Sequence, residues 1–166
     1  MKIYSCIKCT KGFSLVESLI VMAIIAIMST VAISVWGRPY IQNTNLSNAA
    51  NALVGDIYSL KQQALQNRMQ RITINVGGNT YKLESCVDQT STCIGGFVNV
   101  GSPKSFSDFG SGSRLVNSTY VGSIVLFQTR GTTDAGNVTL TNDRGSQIQV
   151  STSISGRVSV DWIVKK

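Results

Sequence analysis

Hydrophobic and polar positions along this chain pass through three regimes. Over residues 13–36 they hardly alternate: Ile, Val, Leu, Met and Ala dominate, and Glu17 is the single formal charge. A run of that length predicts a helix of about 36 Å, enough to cross roughly 30 Å of bilayer hydrocarbon. Gly37, Arg38 and Pro39 then predict a kink or brief break, because proline clashes with the preceding turn and disfavours helix at the residue before it. Beyond that point apolar positions recur at spacings of three and four: Leu46, Ala49, Ala50, Leu53, Ile57, Leu60 and Ala64. Asn45, Asn48, Asn51, Lys61 and Gln62 fall on the other faces. This spacing predicts an amphipathic continuation of the helix over 37–70, with its stripe packed on a sheet.

From Ile72 the period is two. Ile72, Ile74 and Val76 alternate with Thr73 and Asn75; Gly77, Gly78 and Asn79 supply a turn; residues 81–86 return as the second arm of a hairpin. Further strands are predicted at 96–100, 114–116, 121–128, 137–142, 147–152 and 157–164, divided by Gly, Ser, Asp and Asn. Residues 101–113 read as an exposed loop that Phe106 and Phe109 tack down. One long helix followed by many short strands gives an α+β chain, with antiparallel sheets over 71–166 packed on the outer half of the helix.

Composition narrows the chemistry. The chain has 166 residues and no histidine, which removes Ser-His-Asp and Cys-His arrangements, imidazole bases and His-containing zinc sites. A hydrophobic share of 43% against 14% charged excludes a disordered chain. The formal net charge is +7, but Lys2, Lys8 and Lys11 stand ahead of the apolar run, and no cluster of four or more basic residues points to nucleic acid. With Arg38 the next basic residue, the positive-inside rule places the short N-terminus in the cytoplasm and everything after Trp36 outside.

A secretory signal or plain anchor is the simplest reading of such a run. A secretory signal, however, has a shorter apolar region followed by its cleavage site. A plain anchor has no use for Glu17, since a carboxylate in hydrocarbon costs about 2.5–3.5 kcal/mol. A cut between Gly12 and Phe13 would give it one. The new ammonium lies one helical turn from Glu17, and the carboxylate complements both it and the positive helix end. Paired instead with the ammonium of a neighbouring helix, the same group would set the register between subunits.

Residues 11–17, Lys-Gly-Phe-Ser-Leu-Val-Glu, with the apolar helix behind them, resemble the class III signal of type IV prepilins and type II secretion pseudopilins. The resemblance implies that a prepilin peptidase cleaves after Gly12 and N-methylates Phe13. It further implies that the helix stores the subunit in the inner membrane, with 1–12 as leader and 13–36 as span, and later packs in a filament core. The pattern of Val125-Leu126-Phe127, Gly131, a strand at 137–142, Arg144-Gly145 and Gly156-Arg157-Val158 is similar to the GspH/FimT/FimU subgroup of minor pilins and pseudopilins. That likeness implies a low-abundance structural subunit that nucleates or caps a filament, with other pilins, the lipid bilayer and an inner-membrane assembly platform as partners. Alternatives are the tip of a type II secretion pseudopilus, or a minor pilin that binds DNA or a surface.

Candidate chemistry in the outer part is sparse. Cys86 and Cys93 face an oxidising compartment in this topology, and a disulfide is favoured over two free thiols. Cys6 and Cys9 have CxxC spacing but no second pair, so a metal site there is disfavoured. Gly156-Arg157-Val158-Ser159 resembles the GRxR element that some FimT-like pilins use on DNA, with Ser159 at the second arginine position. Arg157, Lys165 and Lys166 are therefore the candidate DNA contacts, too few for strong multi-phosphate binding. Asp56, Glu84, Asp88, Asp108, Asp134, Asp143 and Asp161 show no paired-carboxylate or metal-loop spacing. No catalytic, cofactor or metal site is expected, and the chain is not expected to be an enzyme.

Overall fold

A computed structural model of the chain describes residues 14–33, 37–88, 92–110 and 112–166. It divides into two compact units, Met1–Arg38 and Pro39–Lys166. The leader lysines, Cys6, Cys9, Gly12, Phe13 and Trp36 lie outside the described residues.

The first unit contains α1, Leu15–Ala32. The second takes in α2, which begins at the unit boundary and runs Arg38–Ala64. Among the described residues nine strands follow: β1 (Gln70–Asn75), β2 (Thr80–Cys86), β3 (Phe97–Asn99), β4 (Lys104–Ser105), β5 (Arg114–Ser118), β6 (Ile124–Phe127), β7 (Gly136–Thr141), β8 (Gln147–Thr152) and β9 (Val158–Val164). One antiparallel sheet has the order β3-β2-β1-β6, with β4 also on β2; the other has the order β5-β7-β8-β9. This is the expected α+β arrangement.

The stripe on α2 is the stripe read from the sequence. Leu46, Ala49, Ala50, Leu53, Ile57, Leu60 and Ala64 are all buried, in one cluster with Ile72, Ile74, Tyr81 and Val125 of the first sheet and Leu140, Ile148 and Val150 of the second. α2 stops at Ala64, short of the residue-70 limit expected for it. Asn67 takes a left-handed φ of 65° just past the last turn, a conformation that ends helices, and Gln70 already opens β1.

Two other expectations shift locally. The strand expected over 121–128 begins only at Ile124, because Gly122 (φ 61°) and Ser123 (φ 57°) are left-handed and shape a 3-10 turn at Val121–Ser123. The loop expected over 101–113 is less exposed than a loop should be. It contains β4 and a 3-10 turn, Phe106–Phe109, closed by a capping box between Ser105 and Asp108. Phe106 is fully buried with its ring centroid 5.0 Å from that of Tyr81, and Phe109 packs against the same core. The two aromatics therefore anchor the segment, as their position suggested.

Candidate functional site

α1 is apolar on every face. Its mean hydropathy is 2.3, and all its described side chains are exposed within the chain, from Leu15 in the first turn to Val31 in the last. A helix with no polar side belongs in a membrane or in a bundle of like helices. Two of its small polar residues are quietened locally: the Ser29 hydroxyl donates to the Ile25 carbonyl at 2.7 Å and the Thr30 hydroxyl to that of Ile27 at 2.7 Å. Glu17 has no such outlet. It sits in the first turn, where the helix dipole favours a negative charge, and joins none of the ion pairs found among the described residues. Ser14 begins the helix with extended backbone and no side-chain cap, so the amide ends of the first turn remain available to a neighbouring group.

In the outer unit Cys86 and Cys93 form a disulfide, with Cα atoms 5.6 Å apart. It ties the end of β2 to the segment that leads into β3, alongside a main-chain bond from Val87 to Gly96 at 3.0 Å. Two carboxylates brace the first sheet. Asp56 of α2 accepts from buried Tyr81 at 2.7 Å and from Lys104 at 2.7 and 2.8 Å, joining helix, β2 and β4. Burial, helped by the Asp56 charge, pushes the Tyr81 hydroxyl far above its ordinary range. Glu84 takes bonds from Arg71 at 2.5 Å and Thr73 at 2.6 Å. Burial works to raise its carboxyl but is outweighed by those bonds, which hold it below the ordinary value. These groups are spent on each other, which is the arrangement of a brace rather than of a reactive centre.

The three candidate DNA cations are not brought together. Arg157 precedes β9 and lies beside Lys61, whose ammonium donates to the Gly156 carbonyl at 2.9 Å near the C-terminal end of α2. Lys165 and Lys166 follow β9, and Asn43 near the start of α2 donates to the Lys166 main-chain oxygen at 2.9 Å. β9 therefore runs antiparallel to α2, and eight residues of strand at about 3.3 Å each separate Arg157 from Lys165 by roughly 26 Å. Gly156 has a backbone reason of its own: its φ is 73°, and a Cβ there would stand 2.7 Å from the Gly131 carbonyl oxygen.

Residues 7–33 match the family model described as the prokaryotic N-terminal methylation motif. No curated protein matches the chain. Among solved structures the fold is similar to the minor pseudopilin EpsH from the type 2 secretion system of Vibrio cholerae, with 11% identity and a TM-score of 0.54 over 68% of this chain and 93% of that one. The chain pairs a prepilin-type methylation motif with a pilin-like fold. The methylation motif, the apolar helix and the α+β outer unit form one consistent set.

Other residues that organise the outer unit carried no recognisable signal. Asn79, read only as a turn residue, accepts from the Leu115 amide at 2.8 Å and donates to the Ser113 carbonyl at 3.2 Å, stapling the β1–β2 turn to the start of β5. Buried Asn142 donates to Asn43 at 2.8 Å and accepts from the amides of Arg144 and Ser146, tying the β7–β8 turn to the first turns of α2. Asparagine in a turn is too common to flag either role; only the long-range partner distinguishes them.

Proposed function

We propose that this protein is a minor pilin or pseudopilin of the GspH/FimT/FimU subgroup, a structural subunit that nucleates or caps a type IV pilus-like filament. Prepilin peptidase removes residues 1–12 and methylates the Phe13 amine. The subunit waits in the inner membrane with 37–166 on the periplasmic side, then enters a filament of other pilins or pseudopilins at an inner-membrane assembly platform. The carrying observation is α1: a helix apolar on all sides, with one carboxylate in its first turn, lying inside the matched methylation motif. In a bundle of such helices Glu17 meets a neighbour's N-terminal amine, and a pair that can form at only one axial offset sets the register. The likeness of the outer fold to EpsH supports a secretion pseudopilus as the alternative filament.

Two measurements test this. Intact mass from cells with active peptidase should show loss of residues 1–12 and gain of one methyl; a chain that keeps Met1 speaks against the reading. Glu17→Ala should leave membrane insertion unchanged yet abolish incorporation into filaments, since breaking a buried pair costs about 3–5 kcal/mol. Normal incorporation of that variant would overturn the role given to Glu17.

A further inference from the structure

Aromatic and basic side chains gather at the end of the outer unit where α2 begins. Tyr40 is 75% exposed and Trp162 38% exposed, and with Thr44 and Lys165 they line a shallow groove of about 290 Å³. The Lys165 ammonium stands 5.3 Å from the centre of the Trp162 ring. Lys166 reaches the β7–β8 turn, its ammonium 3.6 Å from where a Cβ on Gly145 would be, next to exposed Arg144. The cluster is held in place from below. The Lys166 main-chain oxygen accepts from Asn43 and Ser146, and the Lys166 amide donates to Ser146 at 3.0 Å. Acidic groups nearby do not cancel it: Asp143 is paired with Arg114 at 2.6 Å, and Asp161, adjacent to Trp162 along β9, lies on the opposite face of the strand.

Chain length limits how far Tyr40 can lie from the bilayer surface. Tyr40 comes four residues after the apolar run of 13–36, a reach of at most about 14 Å even if fully extended. Trp and Tyr settle at headgroup level, lysine stems lie along apolar surface with the ammonium in water, and basic residues near the surface are drawn to anionic lipid. We propose that Tyr40, Trp162, Lys165 and Lys166, flanked by Arg144, form a pad that docks the outer unit on the anionic phospholipid headgroups of the membrane crossed by α1. The pad rests on the membrane-stored state of the proposed function and adds a second, electrostatic hold that entry into a filament must release.

The test uses the full chain with Trp36→Phe, which leaves Trp162 as its single tryptophan, in vesicles of brominated phosphatidylcholine with or without brominated phosphatidylglycerol. Trp162 emission should be quenched and blue-shifted only when phosphatidylglycerol is present. It should recover near 1 M salt, where the Debye length is about 3 Å. Lys165→Glu with Lys166→Glu should lower the ratio of docked to free domains at least on the order of tenfold, whereas Arg157→Glu, at the far end of β9, should leave it unchanged. Equal emission in both vesicles, whether quenched or not, or indifference to the double charge reversal, would overturn the pad. Insertion of α1 is read separately by resistance to alkaline extraction. A chain that stays inserted with Trp162 silent removes the pad alone, and a chain that is extracted removes the membrane-stored state and the pad together.

Discussion

Single side chains in this protein divide into those with no ion-pair partner among the described residues and those already matched within the chain. Glu17 is of the first kind, and Glu84 of the second. Because the folded-state carboxyl of Glu84 lies below its unfolded value, its contribution is complete above about pH 4.5 and is lost as pH falls through the folded value. Acid titration of thermal stability should therefore show a decline beginning below about pH 4.5, and Arg71→Ala should flatten it while lowering stability by about 1 kcal/mol at neutral pH. An unchanged profile in that variant would mean that Arg71 is not what holds the carboxyl down. None of this pairing was legible beforehand. Arg71 and Glu84 are thirteen positions apart, and only the register of β1 on β2, which sets Arg71 opposite Glu84, makes them neighbours. Glu17, by contrast, stood out at once, because a charge is conspicuous where every neighbour is apolar.

Elements show how much a period can convey. The stripe of α2 was legible in the sequence to the residue, since a helix facing a core must put an apolar side chain there on every turn. Its end was not, because Asn67 stops the helix through a backbone conformation that no hydrophobic pattern encodes. Short strands suffered similarly: β4 has two residues and no period to detect, and it exists because β2 offers Thr80 and Tyr81 as partners. The β2–β3 connection depends on a covalent tie instead of apolar packing. Replacing Cys86 and Cys93 by serine should lower stability by about 2–3 kcal/mol in the chain-entropy model. Hydrogen exchange should quicken in β3, which holds only three residues and pairs, among the described residues, with β2 alone, while β7 and β8 keep their protection. Uniform acceleration throughout both sheets would contradict that local role.

At the scale of the molecule, the buried cluster lies wholly within the unit Pro39–Lys166. A chain begun at Pro39 should therefore remain soluble without detergent and unfold in one cooperative transition, whereas the chain carrying α1 should need detergent or lipid. A molten outer fragment, with secondary structure but no near-ultraviolet signal, would show that α1 contributes to the fold and not only to anchoring. The sequence by itself determined the three regimes: an apolar rod with one acid, an amphipathic helix and a series of short strands. It determined the prepilin signal as well, because these are properties of neighbours along the chain, within reach of a helical turn or a pleat. Tertiary structure alone decided where the cations stand. Antiparallel alignment of β9 with α2 carries Arg157 to one end and Lys165 and Lys166 to the other, parting residues that looked like one candidate site and setting Lys165 beside Tyr40 and Trp162 and Lys166 against the β7–β8 turn. Long-range pairing selects such neighbours by the shape and hydrogen bonding of the whole core, and no local pattern records that choice.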